Sequence, residues 1–302
     1  MKAVIQNRYG DASTLELVEV NKPTPNENEL LIEVFTANIA SGDMRINTLE
    51  VPFGLKTIMR LVFGFKGPRH KIRGISGSGK VVEVGKNVTN YKVNDQVYYI
   101  NSMKASCMAE FLVLREKAII APIPEVMNFE TAAPLAFGAM SAYHFINSKS
   151  ISQNDKVLIY GASGSLGTYA IQLATFFGAE VTAVCSEKNH EVVVALGAKH
   201  VIDYTKHDFT DSNKKYDLIF DTVAKLKKAD VKASLTSGGK YVSSRTPTSE
   251  NIGRLLEINK IIEKGGLKTY IDHAYPLDQY REAHEHVYNK HKVGNVVINI
   301  KK

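Results

Sequence analysis

Cysteine is scarce: the 302 residues hold only Cys107 and Cys185. Two thiols cannot build a disulfide framework, and they suit a reducing compartment in which a lone thiol serves as a small buried hydrophobe. A four-cysteine structural zinc site is also excluded, so any catalytic zinc would have to rest on His and carboxylates with at most two thiolates. Proline is sparse as well, with 9 residues against 21 Gly, 44% hydrophobic and 23% charged residues, a composition that excludes collagen-like, disordered and coiled-coil chains. No uncharged apolar run approaches the ~20 residues of a membrane-spanning helix. Residues 1 to 20 are interrupted by Asn7, Arg8, Asp11 and Glu16 before a signal-peptide core can form, so a cytoplasmic protein is expected. The charge excess is modest, 38 Lys and Arg against 31 Asp and Glu. Its densest spots, Lys66 to Arg73 and Lys225 to Lys232, are short and interrupted, and read as solvated surface rather than a nucleic-acid footprint.

What is present is a change of texture along the chain, and at ~150 residues per domain the length predicts two domains. The first part is β-rich: Ala3 to Ile5, Leu15 to Val20, Glu29 to Val34 and Lys80 to Val84 are short, β-branched runs ending in Gly, Pro or Asn. Between them, Thr48 to Arg73 reads as a loop or short helix over a cleft. After Pro122 and Pro124, Ala-rich helical segments run from Thr131 to Ile146, and from Lys156 strands alternate with helices. Strands are predicted at 157–160, 180–184, 200–202, 218–220 and 240–242, with helices at 166–177, 189–196 and 224–235. Apolar strands separated by helices imply a parallel sheet covered on both faces, and the right-handed crossover rule makes it a doubly wound α/β domain. A tail helix at 277–288 and strand at 295–300 are expected to return to the first domain. The predicted division is a β-rich domain of residues 1–123 completed by 267–302, with a dinucleotide-binding domain at 124–266.

The most informative stretch joins the strand Val157 to Tyr160 to a helix through Gly161-Ala162-Ser163-Gly164-Ser165-Leu166-Gly167. A pyrophosphate site needs a tight turn, a residue without a side chain where backbone meets phosphate, and a small residue where helix packs on strand. Helix N-terminal amides then face the anion. The fit is A-x-G-x-x-G, with Ala162 in the first glycine slot. About 20 residues further on, an acidic residue would hold the ribose 2′-hydroxyl of NAD. That slot is Cys185, while Ser186 and Lys188 that follow suit a 2′-phosphate, so NADPH is the expected cofactor. Glu187 between them works against that phosphate if it turns inward.

These residues resemble the medium-chain dehydrogenase/reductase superfamily, specifically its zinc-independent quinone oxidoreductase-like branch. The likeness extends to Gly74 through Gly85, Leu196 through Tyr204, Tyr216 through Asp221, and the tail from Tyr275 to Val297. It implies a GroES-like first domain, a Rossmann domain and a cofactor in the cleft between them. Where the zinc enzymes of the superfamily carry Gly-His-Glu, this chain has Ile75 and Ser76 after Gly74, and Ser41 replaces the cysteine of their Cys-x-Asp segment. Metal ligation is therefore not expected. The resemblance implies cofactor contacts from Gly161, Ser163, Gly164, Ser165, Leu166, Gly167, Ser186, Lys188, Tyr204, Thr222, Val223 and Asn295. It places Asp43 and Ser141 beside the nicotinamide as catalytic candidates, with Met44, Phe53, Leu61 and Phe63 on the cleft wall. Tyr98, Tyr99 and Tyr143 read as packing aromatics, and no proton donor stands out.

The activity expected on this basis is NADPH-dependent hydride transfer to a quinone or an α,β-unsaturated carbonyl compound, with a small-molecule acceptor as partner. An alcohol dehydrogenase and a non-catalytic NADPH-sensing protein are the competing readings. The stretch from Val242 to Leu255 is short for the resemblance, which leaves both a homodimer and a monomer open.

Overall fold

The computed structural model describes residues 1–50, 54–289 and 292–301. The chain divides into two units, Met1–Phe137 with Ile271–Lys302, and Gly138–Tyr270.

In the first unit β1 (Lys2–Gln6) and β2 (Leu15–Glu19) form an antiparallel pair. The long β3 (Glu29–Ile39) is buried along nearly its whole length, its apolar residues interrupted by Glu33, Thr36 and Asn38; Thr36 Oγ1 donates to Asn299 Oδ1 (3.0 Å) and Asn38 Nδ2 to Ser76 Oγ (3.2 Å). The connection beyond it holds α1 (Ser41–Thr48) and α2 (Leu55–Phe63). Then follow β4 (Ser76–Val84), β5 (Gln96–Ile100), β6 (Phe111–Arg115), β7 (Ile119–Pro122) and the short α3 (Phe129–Ala132). Phe129 stacks on Phe35 with ring centroids 4.1 Å apart, and its carbonyl accepts from Ser78 Oγ at 2.5 Å, which fastens α3 to this sheet.

The second unit opens with α4 (Met140–Ile146) and continues as β8 (Lys156–Tyr160), α5 (Ser165–Phe176), β9 (Glu180–Cys185), α6 (His190–Ala195) and β10 (His200–Asp203). It closes with β11 (Tyr216–Asp221), α7 (Lys228–Val231), β12 (Leu235–Ser243) and α8 (Ile252–Glu263). All pairings are parallel and the strand order is β10-β9-β8-β11-β12. Val157, Leu158 and Ile159 are wholly buried, as expected for a central strand covered on both faces. Because order runs outward from β8 in both directions, the sheet reverses between β8 and β11, the switch point at which such folds bind ligands.

The chain returns to the first unit through β13 (Ile271–Pro276), α9 (Tyr280–Tyr288) and β14 (Asn295–Asn299). β4 runs antiparallel along one side of β3, while β6 pairs with its first half and β14 with its second; β13 lies outside β14. Tyr280, Ala283, His284 and Val287 form the buried stripe of α9 at helical spacing.

One predicted element differs from the sequence reading. The helix predicted over 224–235 is reduced to α7 and one tight turn, because Asp221 accepts the N–H groups of Val223 (3.1 Å) and Leu226 (2.8 Å) and holds that stretch as a loop. As the five predicted strands and the short stretch after Val242 imply, the sheet ends at β12 among the described residues, and the chain passes through a loop into α8.

Candidate functional site: a glycine turn at the ends of a parallel sheet

Gly161 leaves β8 with φ +78°, a left-handed backbone, and a Cβ there would sit 2.6 Å from Val223 Cγ1 and 2.7 Å from Thr222 Oγ1. Both reasons require glycine at this turn. The N–H groups of Gly161 and Ala162 donate to Val184 O at 3.0 Å, so the turn is tied to the end of β9. Thr222 Oγ1 donates to Tyr160 O (2.9 Å) and Gly161 O (3.0 Å), closing the same corner from β11. Gly167, in the first turn of α5, would put a Cβ 2.4 Å from Ala162 O, so only glycine lets this helix pack on the turn.

Gly164 is different. It precedes α5 with an ordinary extended backbone, and a Cβ there would meet nothing nearer than Gly161 O at 3.5 Å. The fold does not need glycine at this position. The space beside it lies at the start of a 12-residue helix, where N–H groups and the helix dipole favour an anion. The turn therefore fits a pyrophosphate, with Ser163 on the loop and Ser165 and Leu166 in the first turn of α5.

The end of β9 carries the neighbouring corner. Cys185 is buried, and burial, helped by the Asp203 carboxylate, pushes its thiol up to about 11, so it is neither a nucleophile nor a ribose acceptor. Lys188 is exposed. Glu187, the residue in doubt, turns to Lys206, whose Nζ lies 2.7 Å from its carboxylate. Buried Asn189 joins the two loops: its Nδ2 donates to Ser163 Oγ (2.9 Å) and Ser186 Oγ (3.3 Å). Sequence reading missed Asn189 and Lys206, whose partners are 26 and 19 residues away. Tyr204, just past β10, is 53% exposed, and Val223 is also exposed. The structure thus gathers the turn, Ser186, Lys188, Tyr204, Thr222 and Val223 at the C-terminal ends of β8 to β11. A hollow of about 540 Å³ nearby is lined by His190, Asp203, Lys206 and Phe209 among others, but by no residue of the glycine turn.

The two catalytic candidates are placed differently. Asp43 is 1% exposed; its Oδ2 accepts from Ala40 N (2.9 Å) and its Oδ1 from Ile75 N (3.0 Å). Both oxygens are thus engaged in fixing the start of α1 to the segment before β4. Burial raises this carboxyl to about 6 against the lowering effects of those N–H groups and the Arg73 charge. Ser141 is buried in α4. Asn295 is 1% exposed at the start of β14, opposite Ile271.

Of the expected cleft-wall residues, Met44 packs against the first unit's core, Phe63 is half-buried and Leu61 is 66% exposed; Phe53 lies outside the described residues. Tyr98 and Tyr99 are fully buried, and Tyr143 meets the edge of Phe177 at 6.3 Å.

Ser41, Ile75 and Ser76 offer no thiolate, imidazole or carboxylate. Among the described residues, no three His, Cys, Asp or Glu side chains gather where they could hold a metal ion.

Comparison with known proteins agrees with this geometry. Residues 26–176 match the family model described as alcohol dehydrogenase GroES-like domain, and residues 165–286 match that described as zinc-binding dehydrogenase. A chloroplastic quinone-oxidoreductase homolog of Spinacia oleracea is 29% identical, with 99% of this chain and 98% of that protein covered. An NADPH-dependent alkenal/one oxidoreductase of Arabidopsis thaliana, also chloroplastic, is 29% identical over 99% of this chain and 79% of its own. The solved quinone oxidoreductase of Coxiella burnetii superimposes with TM-score 0.84 at 25% identity, covering 100% and 99% of the two chains. With a doubly wound sheet, its glycine turn and both family models in register, this chain belongs to the medium-chain dehydrogenase/reductase superfamily, in the quinone oxidoreductase-like branch.

Proposed function

We propose that this protein is an NADPH-dependent reductase that passes hydride to a quinone or an α,β-unsaturated carbonyl compound without zinc. The observation that carries the reading is the open space at Gly164, a glycine the fold itself does not require, at the start of α5 and beside the switch point of a parallel sheet. When bound, the nicotinamide supplies the hydride; the protein's task is to bind and orient it. N–H groups at the start of α5 hold the pyrophosphate, and Ser163 is set in place by Asn189. Thr222, fixed on two carbonyls, shapes the floor of the turn.

The preference for NADPH rests on the missing carboxylate at Cys185 and on Ser186 and Lys188 beside it. Lys206 draws the Glu187 carboxylate to itself, which removes the main objection to a 2′-phosphate at this corner. Independence from zinc rests on the donor types: Ser41, Ile75 and Ser76 stand where the zinc enzymes carry ligands. An electron-poor acceptor needs no Lewis acid to take hydride, whereas an alcohol oxygen does.

Lys188→Ala is expected to weaken NADPH by about 10- to 100-fold, the value of one charge-assisted bond, with NADH little changed. Fluorescence titration with both cofactors measures this, and equal weakening of the two would remove the 2′-phosphate assignment. The activity itself is tested by loss of NADPH absorbance with a panel of quinones and enones, using protein dialysed against EDTA. Turnover that persists after dialysis supports the proposal. Turnover restored only by added zinc overturns it, and NADPH binding without turnover on any acceptor would favour a sensor.

A further inference from the structure

The apolar residues that a folded chain leaves in water are normally scattered. Here four of them sit within eight residues: Ile58 (55% exposed), Leu61 (66%), Val62 (41%) and Phe65 (65%). The first three recur at i, i+3 and i+4 on α2, so they share one face, and Phe65 extends it just beyond the helix. Met59 and Phe63, at i and i+4 on another face, are half-buried and seat the helix. The far end of α2 is pinned: Tyr9 Oη donates to Gly64 O at 2.9 Å, and the Arg69 N–H donates to Phe63 O at 2.6 Å. The apolar face is therefore held outward by fixed backbone.

Charge in the segment that carries this face has one sign. Between Glu50 and Glu83 the sequence contains seven Lys or Arg and no acidic residue. Lys56, Lys66, Arg69 and Lys71 are exposed, and among the described residues none of them pairs with a carboxylate. Arg60 lies over the Phe65 ring at 5.8 Å. Apolar side chains flanked by unpaired cations on flexible stems match a surface that is anionic at its headgroups and apolar just beneath them. A partner protein of ordinary composition would present charges of both signs, and nothing in this segment answers its cations. Among the described residues no helix is long and apolar enough to cross a membrane, so the contact would be interfacial.

We propose that α2 and the basic segment to Lys71 dock this protein on the surface of an anionic lipid bilayer. The inference is independent of the hydride-transfer reading.

Vesicle flotation of the full chain tests it, comparing phosphatidylcholine alone with vesicles containing about one-third phosphatidylglycerol. Binding to the anionic vesicles is expected to exceed that to neutral ones by about 10-fold or more, and to fall steeply between roughly 0.1 and 0.5 M salt. Ile58→Glu with Val62→Glu, both at exposed positions, should lower binding about 10-fold, as should Lys66→Glu with Lys71→Glu. The same change of charge on the second unit, Lys225→Glu with Lys228→Glu, should alter it less than about 2-fold. Thermal melting of each variant confirms that it is folded, and Ile58→Ser stands in for the apolar pair should that variant unfold. No flotation at low salt overturns the proposal, as does an equal loss in the second-unit control, which would assign binding to net charge alone. Flotation unchanged by the Ile58 and Val62 substitutions overturns it as well.

Discussion

Gly164→Val is expected to abolish dinucleotide binding while leaving the fold close to its original stability. A Cβ at this position meets only Gly161 O at 3.5 Å, and the backbone is extended, a conformation valine adopts readily. The protein thus loses only the small advantage of glycine over valine ahead of a helix, about 1 kcal/mol. The cofactor loses much more. Two branched methyl groups fill the space where the pyrophosphate meets the start of α5, and displacing it costs about two charge-assisted bonds of roughly 1.5–3 kcal/mol each. That corresponds to about 100-fold or more in affinity, for NADPH and NADH alike. The control is Gly167→Ala, in which the added carbon lies 2.4 Å from Ala162 O and 2.5 Å from Gly161 O. Backbone must move there, so stability should fall by roughly 1–3 kcal/mol or more. Cofactor titration and a thermal melt on each variant separate the two effects. Retained affinity in the valine variant would mean that the turn is not a dinucleotide site.

Asp43→Ala should cost about 2–6 kcal/mol of stability at neutral pH, roughly 1–3 for each buried N–H left without its acceptor. The N–H groups of Ala40 and Ile75 lose their acceptor, and Arg73, 3% exposed and bonded through Nε to Asn47 Oδ1 at 2.8 Å, loses its neighbouring carboxylate. The pH dependence is the sharper test. The folded protein raises the Asp43 carboxyl from 3.8 to about 6, chiefly by burial. It binds this proton more tightly than the unfolded chain, so the stability linked to it is greatest below pH 3.8 and is lost as pH rises through about 6. Buried His284 acts in the opposite sense. Burial lowers its imidazole from 6.5 to about 4, so its contribution is complete above pH 6.5 and is lost as pH falls through about 4. Each shift amounts to about 3 kcal/mol, and between about pH 4 and 6.5 the two slopes nearly cancel. Asp43→Asn removes one of them. On acidification from pH 6.5 to 4 that variant should lose about 3 kcal/mol more stability than the parent protein, because the other carboxylates contribute equally to both. Urea unfolding at several pH values reads this directly. A variant with unchanged stability and slope but lost turnover would return Asp43 to the catalytic site.

Much of the fold and the core of the candidate cofactor site are legible in the sequence because both are local. Strand-helix alternation after Lys156 records burial on two faces, and the parallel order of β10-β9-β8-β11-β12 follows from it with the crossover rule. Gly161 to Gly167 reads as an anion turn because a tight exit, an open approach and a close helix contact must all fall within seven residues. The substitution of Cys185 for an acid, and of Ile75 and Ser76 for zinc ligands, is visible without coordinates, since it concerns which chemical groups exist. What tertiary structure alone decided is where side chains separated in sequence spend their hydrogen bonds. Asp43 has one partner three residues away and another 32 away, and only the second shows that both oxygens are engaged within the protein. The sequence sets Glu187 against a phosphate, and only the fold brings Lys206, 19 residues on, to its carboxylate. The stretch 224–235 has the local signature of a helix, yet the buried Asp221 carboxylate takes the N–H groups of Val223, just before it, and of Leu226 within it, and outweighs a propensity of a few tenths of a kcal/mol per residue. The apolar face of α2 has the period of a buried stripe. Only its position in the fold shows that water, rather than the core, lies against it, because periodicity records that a face is apolar and not what covers it.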